Sequence, residues 1–75
     1  SKSQLAAFAA GLGLSPREQE VLEHLLRGRT LPAIASEAHL SYNTVKTHVS
    51  HIYQKAGVHT RDELIDLLEK RTPTS

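Results

Sequence analysis

The sequence predicts an all-α domain: a four-helix bundle containing a helix-turn-helix, with a short extra helix at the N-terminus. Three observations predict it. Apolar residues recur at three- and four-residue intervals along the chain, and no stretch shows the two-residue alternation of a strand. A hydroxyl residue followed three positions later by Glu, the mark of a helix start, occurs at Ser15–Glu18 and again at Thr60–Glu63. Glycines and short polar links punctuate the periodic stretches.

The N-terminal stretch, 1–13, has two readings. Leu5, Phe8, Ala9 and Leu12 fit one face of a short helix capped by Ser3 and docked weakly on the rest. An Ala-rich linker, loosened at Gly11 and Gly13, is the other. The domain proper spans 14–70. Ser15 caps its first helix, Pro16 takes a first-turn position where a missing amide costs nothing, and Glu18 closes a capping box. Val21, Leu22, Leu25 and Leu26 form the apolar stripe, and Gly28 stops the helix. Thr30 caps a short second helix with Ile34, Ala35 and Ala38 turned inward. His39-Leu40-Ser41 then leads directly into a long helix over about 42–56, with Ser41 as cap and Gly57 as stop. The turn lacks the common Gly, but His tolerates a left-handed backbone better than most residues. Two helices joined this tightly form a helix-turn-helix pattern. A fourth helix opens at Thr60 with Leu64, Leu67 and Leu68 as its stripe, and 71–75 reads as a disordered tail.

Composition narrows the function. A chain of 75 residues holds one small domain. The absence of Cys excludes disulfides, thiolate metal sites and a cysteine nucleophile. No Gly-rich phosphate loop is present, the best-placed Ser and Thr are explained as caps, and there is little room for a water-excluding pocket. An enzyme is therefore not expected, nor a catalytic residue or a cofactor. His48 and His51 stand one turn apart but have no nearby carboxylate or thiolate, so no metal is expected and His48 reads as packed and hydrogen-bonded within the bundle. No apolar run nears the about 18 residues that span a membrane, which points to a cytoplasmic domain. The first residue is Ser rather than Met, which predicts a piece of a longer protein.

The net charge of +1 says little, but its distribution says more. None of the eight acidic residues lies between Ala38 and Arg61, a stretch holding Lys46, Lys55 and four His. On the long helix, Val45, Val49, Ile52, Tyr53 and Ala56 make the core stripe. At about 100° per residue, Asn43, Thr47, Ser50 and Gln54 fall opposite, with His51 beside them and Lys46 and Lys55 flanking. An acid-free face of small polar groups edged by lysines suits a surface that reads base edges while gripping phosphates. A helical protein-interaction module is the alternative, and its mark would be an exposed apolar groove on the long helix.

The chain resembles the LuxR-type (GerE-like) DNA-binding domain of bacterial transcription regulators. The resemblance is carried by Leu14-Ser15-Pro16-Arg17-Glu18-x-Glu20-Val21-Leu22, Gly28, Ile34-Ala35, Leu40-Ser41, Thr44-Val45-Lys46-x-His48, Ile52-Tyr53-x-Lys55, Gly57-Val58 and Arg61. Region 4 of alternative sigma factors shares the Thr-Val-Lys helix, but His48, the Lys55-x-Gly57-Val58 exit and the capped fourth helix favour the LuxR type. Ala33 and Ala38 depart from the usual family residues, and Ser50 stands where some members carry a DNA-contacting Lys or Arg. The resemblance implies a recognition helix in the major groove of double-stranded DNA. Lys46, Thr47, Ser50 and Asn43 are then the base-contacting candidates, and Thr44, Lys55, Tyr42 and His51 the candidates for the phosphate backbone. It further implies a homodimer through the fourth helix (Ile65, Asp66 and Glu69), weak without DNA and set on inverted half-sites. RNA polymerase as a partner and an upstream sensor domain complete the expectation.

Overall fold

Hydroxyl caps decide where most of the helices begin. The computed structural model describes residues 2–71, which form α1 (Lys2–Leu12), α2 (Pro16–Leu26), α3 (Leu31–Ala38), α4 (Tyr42–Ala56) and α5 (Arg61–Arg71). No strand occurs among the described residues. Ser15 Oγ accepts from the Glu18 amide at 3.1 Å, and the Glu18 carboxylate accepts from the Ser15 amide at 2.9 Å, completing the capping box. Thr30 accepts from the Ala33 amide at 3.3 Å and Ser41 from the Thr44 amide at 3.0 Å. At α5 the box is shifted. Thr60 accepts from the Glu63 amide at 3.1 Å, but the Glu63 carboxylate reaches the His59 amide at 3.3 Å and the Thr60 hydroxyl at 3.2 Å.

The N-terminal stretch is a docked helix rather than a linker. Phe8 and Ala9 are buried and belong to the same core as α2, α4 and α5, with Leu5 and Leu12 half-buried beside them. α1 starts at Lys2, so Ser3 lies inside its first turn and is not its cap. Arg71 likewise belongs to α5 instead of a tail, and 72–75 lie outside the described residues.

Each of the four links holds a left-handed residue, a glycine in three of them and a histidine in the fourth. After α4, Gly57 adopts φ 71°, which costs a residue without Cβ little. After α3 the position is taken by His39 at φ 56°, ψ 44°, a conformation that costs a side-chain-bearing residue about 1–2 kcal/mol. The Leu40 amide then donates to the Ala35 carbonyl at 2.9 Å, closing α3 and turning the chain into α4.

The core is built on α2, which packs against each of the other four helices. Val21, Leu22 and Leu25 from α2 meet Ile34 from α3, Val45 and Ile52 from α4, and Leu64 from α5, all fully buried. Each such side chain contributes about 1.5–3 kcal/mol of burial. A polar strap ties α2 to α3. Glu37 Oε2 lies 2.8 Å from the Arg29 guanidinium in an ion pair and 3.2 Å from His24 Nδ1, which Arg29 also touches. α4 is thus held from behind by α2, α3 and α5, and its other side is left outward.

Candidate nucleic-acid interface

The outward side of α4 is the predicted polar face. Tyr42, Asn43, Lys46, Thr47, Ser50, His51, Gln54 and Lys55 are exposed, Thr44 is half-buried, and Val45 and Ile52 are fully buried. Val49, Tyr53 and Ala56 are half-buried on the flanks of the core stripe. The helix period alone sets this division, because Val45 and Ile52 can both reach the α2 stripe only if that face turns inward.

Local hydrogen bonds pre-set the first turns. The Ser41 hydroxyl donates to Thr44 Oγ1 at 2.8 Å while accepting the Thr44 amide, so the Thr44 hydroxyl keeps a proton to donate outward. Thr47 Oγ1 donates to the Asn43 carbonyl at 3.0 Å, one turn back along the helix. The Lys46 ammonium sits over the Tyr42 ring, 5.6 Å from its centroid. Tyr42, 48 % exposed, is the only large hydrophobic residue classed as exposed among the described residues. A cation–π contact at an exposed position is worth about 0.5–1 kcal/mol, so it steers Lys46 without locking it.

The C-terminal end of α4 is organised by Glu18, which is only 4 % exposed. The Lys55 ammonium donates to Glu18 Oε1 at 2.7 Å and to the Gly13 carbonyl at 3.2 Å. His51 Nδ1 lies 3.4 Å from the other carboxylate oxygen. The hydrogen bond from Lys55, followed by that from the Ser15 amide, holds the Glu18 carboxyl down to about 2 from the ordinary 4.5, outweighing the opposing effect of burial. Lys55, expected at phosphates, is therefore already bonded within the fold, and His51, expected there too, stands beside the same carboxylate. Sequence reasoning found Glu18 as a capping residue and missed this second role. His48 Nδ1, expected to hydrogen-bond within the bundle, is buried with no partner among the described residues.

Of the three residues expected at a dimer contact, Asp66 and Glu69 are exposed on α5 and Ile65 is half-buried. Asp66 lies 3.7 Å from Lys70 on the same helix. Among the described residues, no group of three or more His, Cys, Asp or Glu is placed to hold a metal, and no helix is long and apolar enough to cross a membrane.

Comparison with known proteins agrees with this arrangement. Residues 12–68 match the model of the bacterial regulatory proteins of the luxR family. The spore germination protein GerE of Bacillus subtilis is 42% identical over 52 residues, covering 69% of this chain and 70% of that protein. The probable transcriptional regulatory protein NarL of Mycobacterium tuberculosis is 50% identical over 48 residues, 64% of this chain but 22% of NarL. Fimbriae Z protein of Escherichia coli K12 is 45% identical over 53 residues, 71% of this chain and 25% of that protein. No solved structure matches the chain. With the match running from the end of α1 into α5, and so taking in both helices of the helix-turn-helix and the helices that brace them, the chain belongs to the LuxR family of bacterial regulatory proteins.

Proposed function

We propose that this domain binds double-stranded DNA with sequence preference and that α4 enters the major groove as the recognition helix of a transcription regulator. The observation that carries this reading is the outward row of α4: Asn43, Lys46, Thr47 and Ser50 are all exposed, in a stretch with no carboxylate from Ala38 to Arg61. Phosphates repel carboxylates, and base edges are read by short polar groups and lysines. Lys46 donates to guanine O6 and N7, a contact worth about 1–3 kcal/mol of discrimination, which exceeds its hold on Tyr42. Thr47, whose hydroxyl proton is turned back to the Asn43 carbonyl, offers its remaining lone pairs and its methyl group to bases. Ser50 and Asn43 read through direct or water-bridged bonds.

The Thr44 hydroxyl and the first-turn amides of α4 meet the phosphate backbone, since a helix N-terminus leaves amides without intrahelical acceptors and attracts anions. Tyr42 covers a neighbouring sugar. His51 and Lys55 stand beside the backbone as secondary contacts, drawn partly away by Glu18. Ile65, Asp66 and Glu69 on α5 form the contact between two copies on inverted half-sites, a contact weak without DNA because one short helix buries little area. In a longer cytoplasmic protein, an upstream domain supplies the signal and RNA polymerase is the target. The share of NarL and Fimbriae Z lying beyond this match supports that organisation.

The test is fluorescence anisotropy of a labelled mixed-sequence duplex over a range of salt, with wild type and Lys46→Ala. Binding should appear at low salt, weaken steeply as salt rises, and fall in the variant. Absence of binding at about 50 mM salt, in a tandem-linked dimer as well as the single domain, would sink the reading.

A further inference from the structure

Beside the proposed DNA face, the flank of α4 borders an open groove of about 670 Å³ between the start of α3 and the turn that follows α4. Its floor is apolar: Leu31, Val49, Tyr53 and Val58 each pack one side against the core and leave the other uncovered. Lys46 and His59 line it too, and no carboxylate does. A volume of this size lies within the range of small-molecule sites, about 300–1,000 Å³, which are mostly apolar with a few polar groups that fix orientation.

We propose that this groove binds a small amphipathic anion: an aromatic or short alkyl body ending in a carboxylate or sulfonate. The body lies on Leu31, Val49, Tyr53 and Val58, and the acid group faces Lys46. The charge pattern selects the class. A neutral apolar compound leaves the Lys46 ammonium unused, and a cation meets it with no carboxylate in the lining to offset the repulsion. The Glu63 carboxylate, at the rim, is bonded to the His59 amide and the Thr60 hydroxyl. Lys46 and Ser50 line the groove and also belong to the face assigned to DNA, so one ammonium cannot serve both ligands. Occupation of the groove therefore opposes DNA binding. This last step rests on the DNA reading; binding in the groove does not.

The probe is 1-naphthaleneacetate, with 2-(1-naphthyl)ethanol as its neutral counterpart, titrated into the isotopically labelled domain and followed by amide shifts. The expected result is a saturable shift of Val49, Tyr53, Val58 and His59, with Kd at or below about 1 mM. The alcohol should bind at least fivefold more weakly to wild type. Lys46→Met should remove that preference and leave the alcohol's own affinity within twofold, which also shows that the variant folds. Val58→Asp, which places a carboxylate in the groove, should weaken the acid at least tenfold. No saturable shift, shifts centred elsewhere, or equal affinity for acid and alcohol in wild type would overturn the site. Competition is read separately by anisotropy: naphthaleneacetate should raise the apparent Kd for DNA in inverse proportion to the fraction of grooves left empty, doubling it at half occupancy. Groove binding with an unmoved DNA isotherm overturns the competition, whereas a wild type that binds the acid but never DNA overturns the DNA reading alone.

Discussion

Lys46 and Lys55 are the same residue on the same helix, and the fold treats them differently. Lys46, on the N-terminal half of α4, has a ring as its neighbour at 5.6 Å and, among the described residues, no carboxylate paired with it. Lys55, in the last turn, is bonded at 2.7 Å to a buried carboxylate and at 3.2 Å to a carbonyl between α1 and α2. Exposure does not tell them apart, since both are exposed. Their partners do. At the C-terminal end the lysine ties the helix to the scaffold, and in the N-terminal half it rests on a ring of its own helix.

The sharpest way to break this contrast is to remove each lysine in turn. Lys46→Ala should raise the Kd for DNA about 5- to 150-fold, from the loss of about 1–3 kcal/mol, and move the melting temperature little. An equal loss of affinity and stability would erase the distinction. Glu18→Gln should do the reverse. It keeps an acceptor for the Ser15 amide but removes the charge facing Lys55. Because Lys55 is 40% exposed and water screens the pair, the expected loss is about 1–2 kcal/mol, read as a melting shift of about 4–8 °C per kcal/mol. DNA affinity below the transition should stay within about threefold, or about 0.7 kcal/mol.

Lys55→Met sharpens the comparison through salt. A lysine that neutralises a phosphate contributes about one to the slope of log K against log salt. A lysine drawn partly away by Glu18 predicts a slope reduced by well under one; a slope reduced by about one would give Lys55 wholly to the phosphates.

Acid titration isolates the anchor from the DNA face. The Glu18 carboxyl in the fold is held at about 2 against an ordinary 4.5, so folding favours its ionised form. Its stabilising contribution is fully present above the ordinary value and is lost as pH falls through about 2. Wild type should lose stability across that window more steeply than Glu18→Gln; parallel acid limbs would deny Glu18 the role. The smallest expected effect is at the turn: His39→Gly should gain about 0.5–1 kcal/mol by relieving a left-handed side chain, with DNA affinity unchanged.

The caps at Ser15, Thr30, Ser41 and Thr60, the stop at Gly57 and the core stripe of α4 were legible because each depends on residues within one or two helical turns. The left-handed turn at His39 was legible for the same reason. The limits of α1 and α5 were misread by a turn or less, since Ser3 offered a cap that the helix passes over and Pro73, two residues on, does not keep Arg71 out of α5. Glu18 was legible only in its local role. Its partner Lys55 is 37 positions away, and no periodicity connects the two. An exposed apolar groove on the long helix entered the sequence reading only as the mark of an interaction module; its lining was not legible, because Leu31 and Val58 meet Val49 and Tyr53 only after the chain packs.

By itself the sequence determined the all-α class, the helix-turn-helix and the acid-free outward face of α4. Local hydrogen bonding, helical period and the one-dimensional distribution of charge decide those features before any packing occurs. Only the tertiary structure decided that α1 belongs to the core, that Glu18 takes Lys55 and approaches His51, that His48 Nδ1 is buried with no partner among the described residues, and that Lys46 lines a groove. Charge and hydrogen-bonding capacity are properties of a residue. Whether they are already satisfied depends on what the fold brings within about 3 Å.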